Sequence, residues 1–162
     1  MPAAVRPLLD EAFGGRFDDT DWDHAVGGWH VLVRDGGAVV AHAAVVPREL
    51  HVDGRAVAAG YVEAVGTAPG RQGQGLGTLA MVEVDRLLRR RHELGALSTG
   101  AHRFYERLGW ERWQGPTFVR KGDGCVRTPE EDDGIMVLRF GATATLDLTA
   151  AISCEARAGD DW

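Results

Sequence analysis

The chain has 162 residues, 44% of them hydrophobic, and a formal net charge of −6. That length suits one domain over residues 1–162 with a sizeable core, and the acidic balance argues against a nucleic-acid partner, which needs a basic face for phosphates. No apolar run reaches the length of a membrane span and no export signal opens the chain, so no membrane partner and a cytoplasmic location are expected.

Residues 3–13 (AAVRPLLDEAF) are predicted helical, with Val5, Leu8, Leu9 and Ala12 on one face. A loop is expected over GGRFDDTDWDHAVGG, residues 14–28. Asp35-Gly36-Gly37 and Asp53-Gly54 then interrupt apolar, β-branched runs, the pattern of hairpin turns. About four antiparallel strands are therefore expected by residue 67. In TLAMVEVDRLLRRRHEL, Leu79, Val82, Val84, Leu87, Leu88 and Leu94 predict a long helix with a buried face, an arginine-rich C-terminal pole and a stop at Gly95. ALST reads as a strand, and AHRFYERLG as a short helix closed by Gly109. WERWQGPTFVRK and IMVLRF read as strands around the acidic run Glu130–Asp133. The grammar is mixed α+β with a central, mostly antiparallel sheet. Cys125 and Cys154 are too few and too far apart for a disulfide framework and read as reduced.

The stretch GRQGQGLGTLA, residues 70–80, sits between a strand and the long helix. It lacks the Gly-Lys-Ser/Thr ending of a Walker loop, since Leu76-Gly77-Thr78 stands there. Gly73, Gly75 and Gly77 give G-x-G-x-G after a meander, which does not match the dinucleotide fingerprint in its β-α-β unit. A turn whose successive N–H groups point at a pyrophosphate from a helix N-terminus fits all three features present: a strand before, small residues in the turn, a long helix after. A glycine-rich connection with no ligand is the other reading. The six histidines show no metal-ligand spacing, so no metal is expected. No Ser-His-Asp or Cys-His set suggests a covalent intermediate.

Gln72-x-x-Gly75-x-Gly77 resembles the acetyl-coenzyme A pyrophosphate motif of the GNAT acyltransferases, and AHRFYERLGW, residues 101–110, resembles a later element of the same superfamily. The resemblance implies the GNAT fold: α+β, a mixed, mostly antiparallel sheet flanked by helices. It also implies acetyl-CoA as co-substrate, held through Val65 and through Gln72, Gly73, Gln74, Gly75, Leu76 and Gly77. The strand Tyr61–Thr67 would splay from its neighbour and pair with the pantetheine arm. GNAT domains usually open with a strand, so the first strand is expected to be missing here.

FDDTDWDHAVGGWH, AHAAVV, GYVEAV, LGALS, GPT, RTPEEDDG and the closing RAGDDW are similar to the aminoglycoside 2′-N-acetyltransferases, from about residue 5 to residue 162. This resemblance implies direct transfer from acetyl-CoA to the 2′-amine of a polycationic aminoglycoside. It implies Glu63 as the proton acceptor, Val65 N–H as the donor to the thioester oxygen, and Tyr105 as the general acid. It further implies acceptor contacts from Asp21, Glu63, Ala64, Ser98, Glu131, Asp132, Asp160 and Trp162, and a homodimer. Arg16 stands where the family carries an acid. Two alternatives remain: a GNAT enzyme for another amine or amino sugar, such as a cell-wall precursor, and a non-catalytic binding protein.

Overall fold

The computed structural model describes residues 3–162. Helix α1 (Val5–Ala12) buries Val5, Leu8 and Leu9, as its spacing predicts. The segment expected to be a loop contains a second helix, α2 (Asp19–Val26). Its start is an acidic capping box: the Asp18 side chain accepts from Asp21 N at 2.9 Å, and the Asp21 carboxylate accepts from Asp18 N at 3.0 Å. The box satisfies two otherwise orphaned backbone donors, which lets a polar eight-residue stretch hold a helix.

Strands β1 (Trp29–Asp35), β2 (Ala38–Val52) and β3 (Arg55–Thr67) follow, joined at the two predicted turns. They are three strands rather than four, because β2 runs unbroken through Pro47. Pro47 falls between the end of the β1 ladder at Val45 and the start of the next ladder at His51, where a missing N–H breaks no pairing on that edge. A 3-10 turn (Pro69–Arg71) leads to α3 (Leu76–Arg91). The buried stripe of α3 is Ala80, Met81, Val84 and Leu88, whereas Leu79 and Val82 are exposed. Leu94 and Gly95 belong to the next strand, β4 (Leu94–Ser98). Gly95 serves packing there and not a helix stop: a Cβ would lie 2.8 Å from Leu88, 3.1 Å from Leu138 and 3.1 Å from Trp110.

Helix α4 (His102–Glu106) precedes β5 (Glu111–Arg112), β6 (Thr117–Lys121), β7 (Gly124–Arg127), β8 (Ile135–Arg139) and β9 (Ile152–Glu155). The run 110–121 thus splits into two strands around Gly115, where any Cβ would strike the Ala150 carbonyl. Strands β7 and β9 add to the elements expected from sequence. Among the described residues nine strands form one sheet in the order β5-β8-β4-β3-β2-β9-β6-β7, with β1 on β2. The β3–β4 and β6–β9 ladders are parallel; β1–β2, β2–β9, β4–β8, β5–β8 and β6–β7 are antiparallel. The first element among the described residues is α1. By contacts the chain divides into two compact units: the part up to Val46 with Val62–Leu87, and Pro47–Tyr61 with Leu88–Trp162.

In the first unit, His42 on β2 has no exposed surface. Burial pulls its pKa down to about 4; the bond to the Ala64 carbonyl opposes this and nearby His30 adds to it. The unfolded chain takes up this proton near 6.5, so between those values the unfolded state binds more protons. Stability is then full above pH 6.5 and falls as the pH drops toward 4, by about 3 kcal/mol. Burial lowers the pKa of His30 as well, in the same sense. Urea unfolding near neutral pH and near pH 4 should show a smaller loss for His42→Asn than for the wild type; equal losses would remove His42 as the source.

Candidate active site

In the first unit, the glycine turn is built by backbone conformation. Gly73 and Gly75 adopt φ of 75° and 77°, a region that L side chains rarely enter. Gly75 O accepts the first helical bond, from Leu79 N at 3.0 Å, so Gly75 caps α3. The N–H groups of the first turn therefore lack intrahelical acceptors and face outward beside the positive end of the helix dipole. Arg71 braces the turn: its guanidinium bonds Gln74 Oε1 at 3.0 Å and pairs with Asp35 at 2.8 Å. Gln72, Gly73, Gln74 and Gly75 are exposed, while Leu76 and Gly77 are half-buried.

Glu63, Ala64 and Val65 are half-buried on β3. Ala64 has φ 51°, a left-handed conformation that an alanine holds only against strain of about 1–2 kcal/mol. Its methyl packs with the cluster of Val5, Leu9 and Phe17. Its carbonyl accepts from His42 Nδ1 at 2.7 Å. In the same unit Asp21 sits in the α2 capping box, and Arg16 is exposed with Nε bonded to the Phe13 carbonyl at 3.3 Å. The β3–β4 ladder pairs Ala59–Leu94, Gly60–Gly95 and Tyr61–Ala96 and ends there.

The second unit gathers the predicted acidic positions. Ser98 Oγ, at the end of β4, bonds Glu131 at 3.5 Å. Burial raises the pKa of Glu131, and repulsion from Asp160 and Glu130 adds to it, against a small opposing bond from Ser98. Carboxylates gathered beside one another favour a cation between them. Asp132 is otherwise engaged: Oδ1 accepts from Thr117 N at 3.0 Å and from Arg127 at 2.7 Å, and Oδ2 pairs with Arg127 as well. Of the two neighbouring acids, Glu131 is the one turned toward Ser98 and Asp160.

The C-terminus is anchored. Trp162 is 3% exposed, its Nε1 bonds Thr128 Oγ1 at 3.2 Å, and its N–H bonds Asp160 Oδ1 at 3.2 Å. Arg157 clamps the loop by donating to the Asp160 carbonyl at 2.7 Å and the Trp162 carbonyl at 3.1 Å. Sequence reading passed over Thr128 and Arg157, which no motif spacing marks. It also passed over His42, whose signal was present: a lone polar residue inside the apolar run AVVAHAAVV. Tyr105, on α4, is buried against Phe104 at 4.9 Å and Trp110 at 6.0 Å, both edge-on. Burial pushes its hydroxyl up to about 12.

A family model described as an acetyltransferase (GNAT) domain matches residues 3–113. An aminoglycoside 2′-N-acetyltransferase of Mycolicibacterium fortuitum is 47% identical over 162 residues, covering 98% of this chain and 83% of that protein. The chain belongs to the aminoglycoside 2′-N-acetyltransferase family of GNAT enzymes. Among solved structures, a GNAT family N-acetyltransferase of Escherichia coli, in complex with CoA, superposes with TM-score 0.68 at 19% identity, over 95% of this chain and 86% of that one. A GCN5-related N-acetyltransferase of Kribbella flavida gives TM-score 0.60 at 27% identity, over 70% of this chain; the chain spans 31% of that longer protein. The mixed sheet, the glycine turn before α3 and the short helix bearing Tyr105 are thus the parts of a GNAT acetyltransferase.

Proposed function

We propose that the protein transfers the acetyl group of acetyl-CoA to the 2′-amine of aminoglycosides in a ternary complex. The observation that carries this reading is the anionic cluster of Glu131 and Asp160 with Ser98, which suits an acceptor carrying several ammonium groups. The family resemblance assigns Asp21 and Glu63 to the acceptor as well. The backbone N–H groups of residues 73–77 suit the pyrophosphate, and the backbone of β3 beyond Tyr61 suits the pantetheine arm.

The amine must be neutral to attack, although amines of this kind are mostly protonated near neutral pH. Glu63 takes its proton through water. The amine nitrogen then attacks the thioester carbon, Val65 N–H binds the developing oxyanion, and the C–S bond breaks as the nitrogen, positively charged after attack, gives up its second proton, which ends on the departing thiolate. Tyr105 donates to the departing sulfur. Its pKa of about 12 bears on how it does so. Full transfer to a thiolate of ordinary pKa, about 8.5, is uphill by about 5 kcal/mol. Tyr105 therefore works mainly as a hydrogen-bond donor to the thiolate, and any proton it gives is promptly regained from solvent or the acceptor ammonium.

Trp162→Ala should act twice. Removing a buried indole should cost about 3 kcal/mol in urea unfolding. Loosening the segment that carries Asp160 should raise acceptor KM about tenfold or more, with CoA affinity within about twofold. A loss of CoA affinity instead would make the tail purely structural. A homodimer acting in the cytoplasm belongs to the same proposal, supported by the family resemblance; light scattering at micromolar protein tests the dimer. Among the described residues no helix is long and apolar enough to cross a membrane.

The deciding experiment is thiol release from acetyl-CoA with two matched drugs. Tobramycin carries a 2′-amine and kanamycin A a 2′-hydroxyl. Release with tobramycin and little with kanamycin A is expected. Release with neither, beside measurable acetyl-CoA binding, would leave the donor site standing and send the search to another amine.

A further inference from the structure

Two histidines of the first unit form a chain that ends on the strained residue of β3. In the β1–β2 ladder, His30 pairs with Ala44 and His42 with Leu32. The two histidines are therefore diagonal neighbours on one face, within reach of long side chains. His30 Nδ1 and His42 Nε2 are 3.0 Å apart, and His42 Nδ1 is 2.7 Å from the Ala64 carbonyl. A carbonyl can only accept, so His42 carries its proton on Nδ1. In a neutral ring Nε2 is then bare and must accept, so His30 donates to it from Nδ1–H. One directed chain results: His30 to His42 to Ala64.

The Ala64 carbonyl and the Val65 N–H belong to the same peptide group. That peptide is trans, so the two dipoles point in opposite directions. Fixing the carbonyl toward His42 turns the Val65 N–H away from it. A bond to the carbonyl oxygen also polarises the amide and makes its N–H a stronger donor. The left-handed φ of Ala64 is the conformation this aiming needs, and His42 helps hold it against the cost.

We propose that His42, backed by His30, is a positioning residue that aims and polarises the Val65 N–H as the oxyanion donor. This rests on the reading of Val65 given above. The charge that develops on the thioester oxygen is met by a dipole set before substrate arrives, and an alanine holds here a left-handed conformation that a glycine would adopt without a clamp.

The test compares wild type with His42→Leu and His42→Asn. Asparagine places an amide N–H where Nδ1 stands; leucine places a methyl there. The first readout is the change in the Val65 amide 15N–H resonance when CoA is replaced by acetyl-CoA, which needs no acceptor. A change in wild type, lost in His42→Leu and kept in His42→Asn, is expected. With tobramycin, kcat should fall about 10- to 100-fold in His42→Leu and recover to within about threefold in His42→Asn, with CoA affinity unchanged in both. A Val65 response undiminished in His42→Leu would overturn the clamp alone. No response in wild type would overturn the oxyanion reading and the clamp with it. Should His42→Leu fail to fold, imidazole 15N spectra of the wild type decide: Nε2–H with a bare Nδ1 on His42 would end the proposal.

Discussion

Tyr105→Phe is expected to lower kcat roughly 10²- to 10³-fold near neutral pH, with acceptor KM and CoA affinity within about twofold. The ring is what packs against Phe104 and Trp110, so phenylalanine keeps the fold while removing the donor. With a pKa of about 12, the hydroxyl stays protonated throughout the working range. The pH–rate profile should therefore show no basic limb from Tyr105 below about pH 10. Leaving-group strength should matter more to the variant than to the wild type, because the sulfur then departs without a donor. Unchanged kcat would remove Tyr105 from the chemistry.

Gly75→Glu is expected to weaken acetyl-CoA binding at least about 100-fold. Two effects add. A side chain at φ 77° costs about 1–2 kcal/mol of backbone strain. A carboxylate about 4 Å from a phosphate charge adds about 4 kcal/mol of repulsion at an effective dielectric of 20, which salt then reduces. Steric clash contributes little, because a Cβ at Gly75 meets nothing within 4 Å. Gly75→Ala separates the terms: it carries the strain without the charge and should lose about tenfold. Calorimetric titration at low and high salt checks both. Wild-type affinity in Gly75→Glu would sink the account of the turn.

The helix of residues 76–91, both hairpin turns and the Tyr105 helix were legible because each depends on local chemistry: period, turn residues, a glycine stop. Helix α2 was missed because its eight residues, DTDWDHAV, are too few and too polar to show an apolar period, although Asp18 and Asp21 at capping-box spacing were a signal. Gly95 was misread as a helix stop because a glycine needed for φ and a glycine needed for contact look alike in sequence. Only Leu88, Leu138 and Trp110 closing on it tell them apart. The acidic pair Glu131–Asp132 could not be resolved from the chain, since its two members differ only in whether Thr117 and Arg127 reach them.

By itself the sequence determined the acetyltransferase class, the presence of a glycine turn before the long helix, and the acidic character of the C-terminal part, and it singled out Tyr105 and Glu63 as the residues to test. These rest on residue type and short-range spacing, which survive without coordinates. Tertiary structure alone decided that Asp132 is spent on a guanidinium while Glu131 meets Ser98, that Trp162 is buried and anchored, and that His42 bonds the Ala64 carbonyl. Each of these is a hydrogen bond or a burial between residues up to dozens of positions apart. The direction of a donor, unlike its presence, is set only when the strands that carry it are paired.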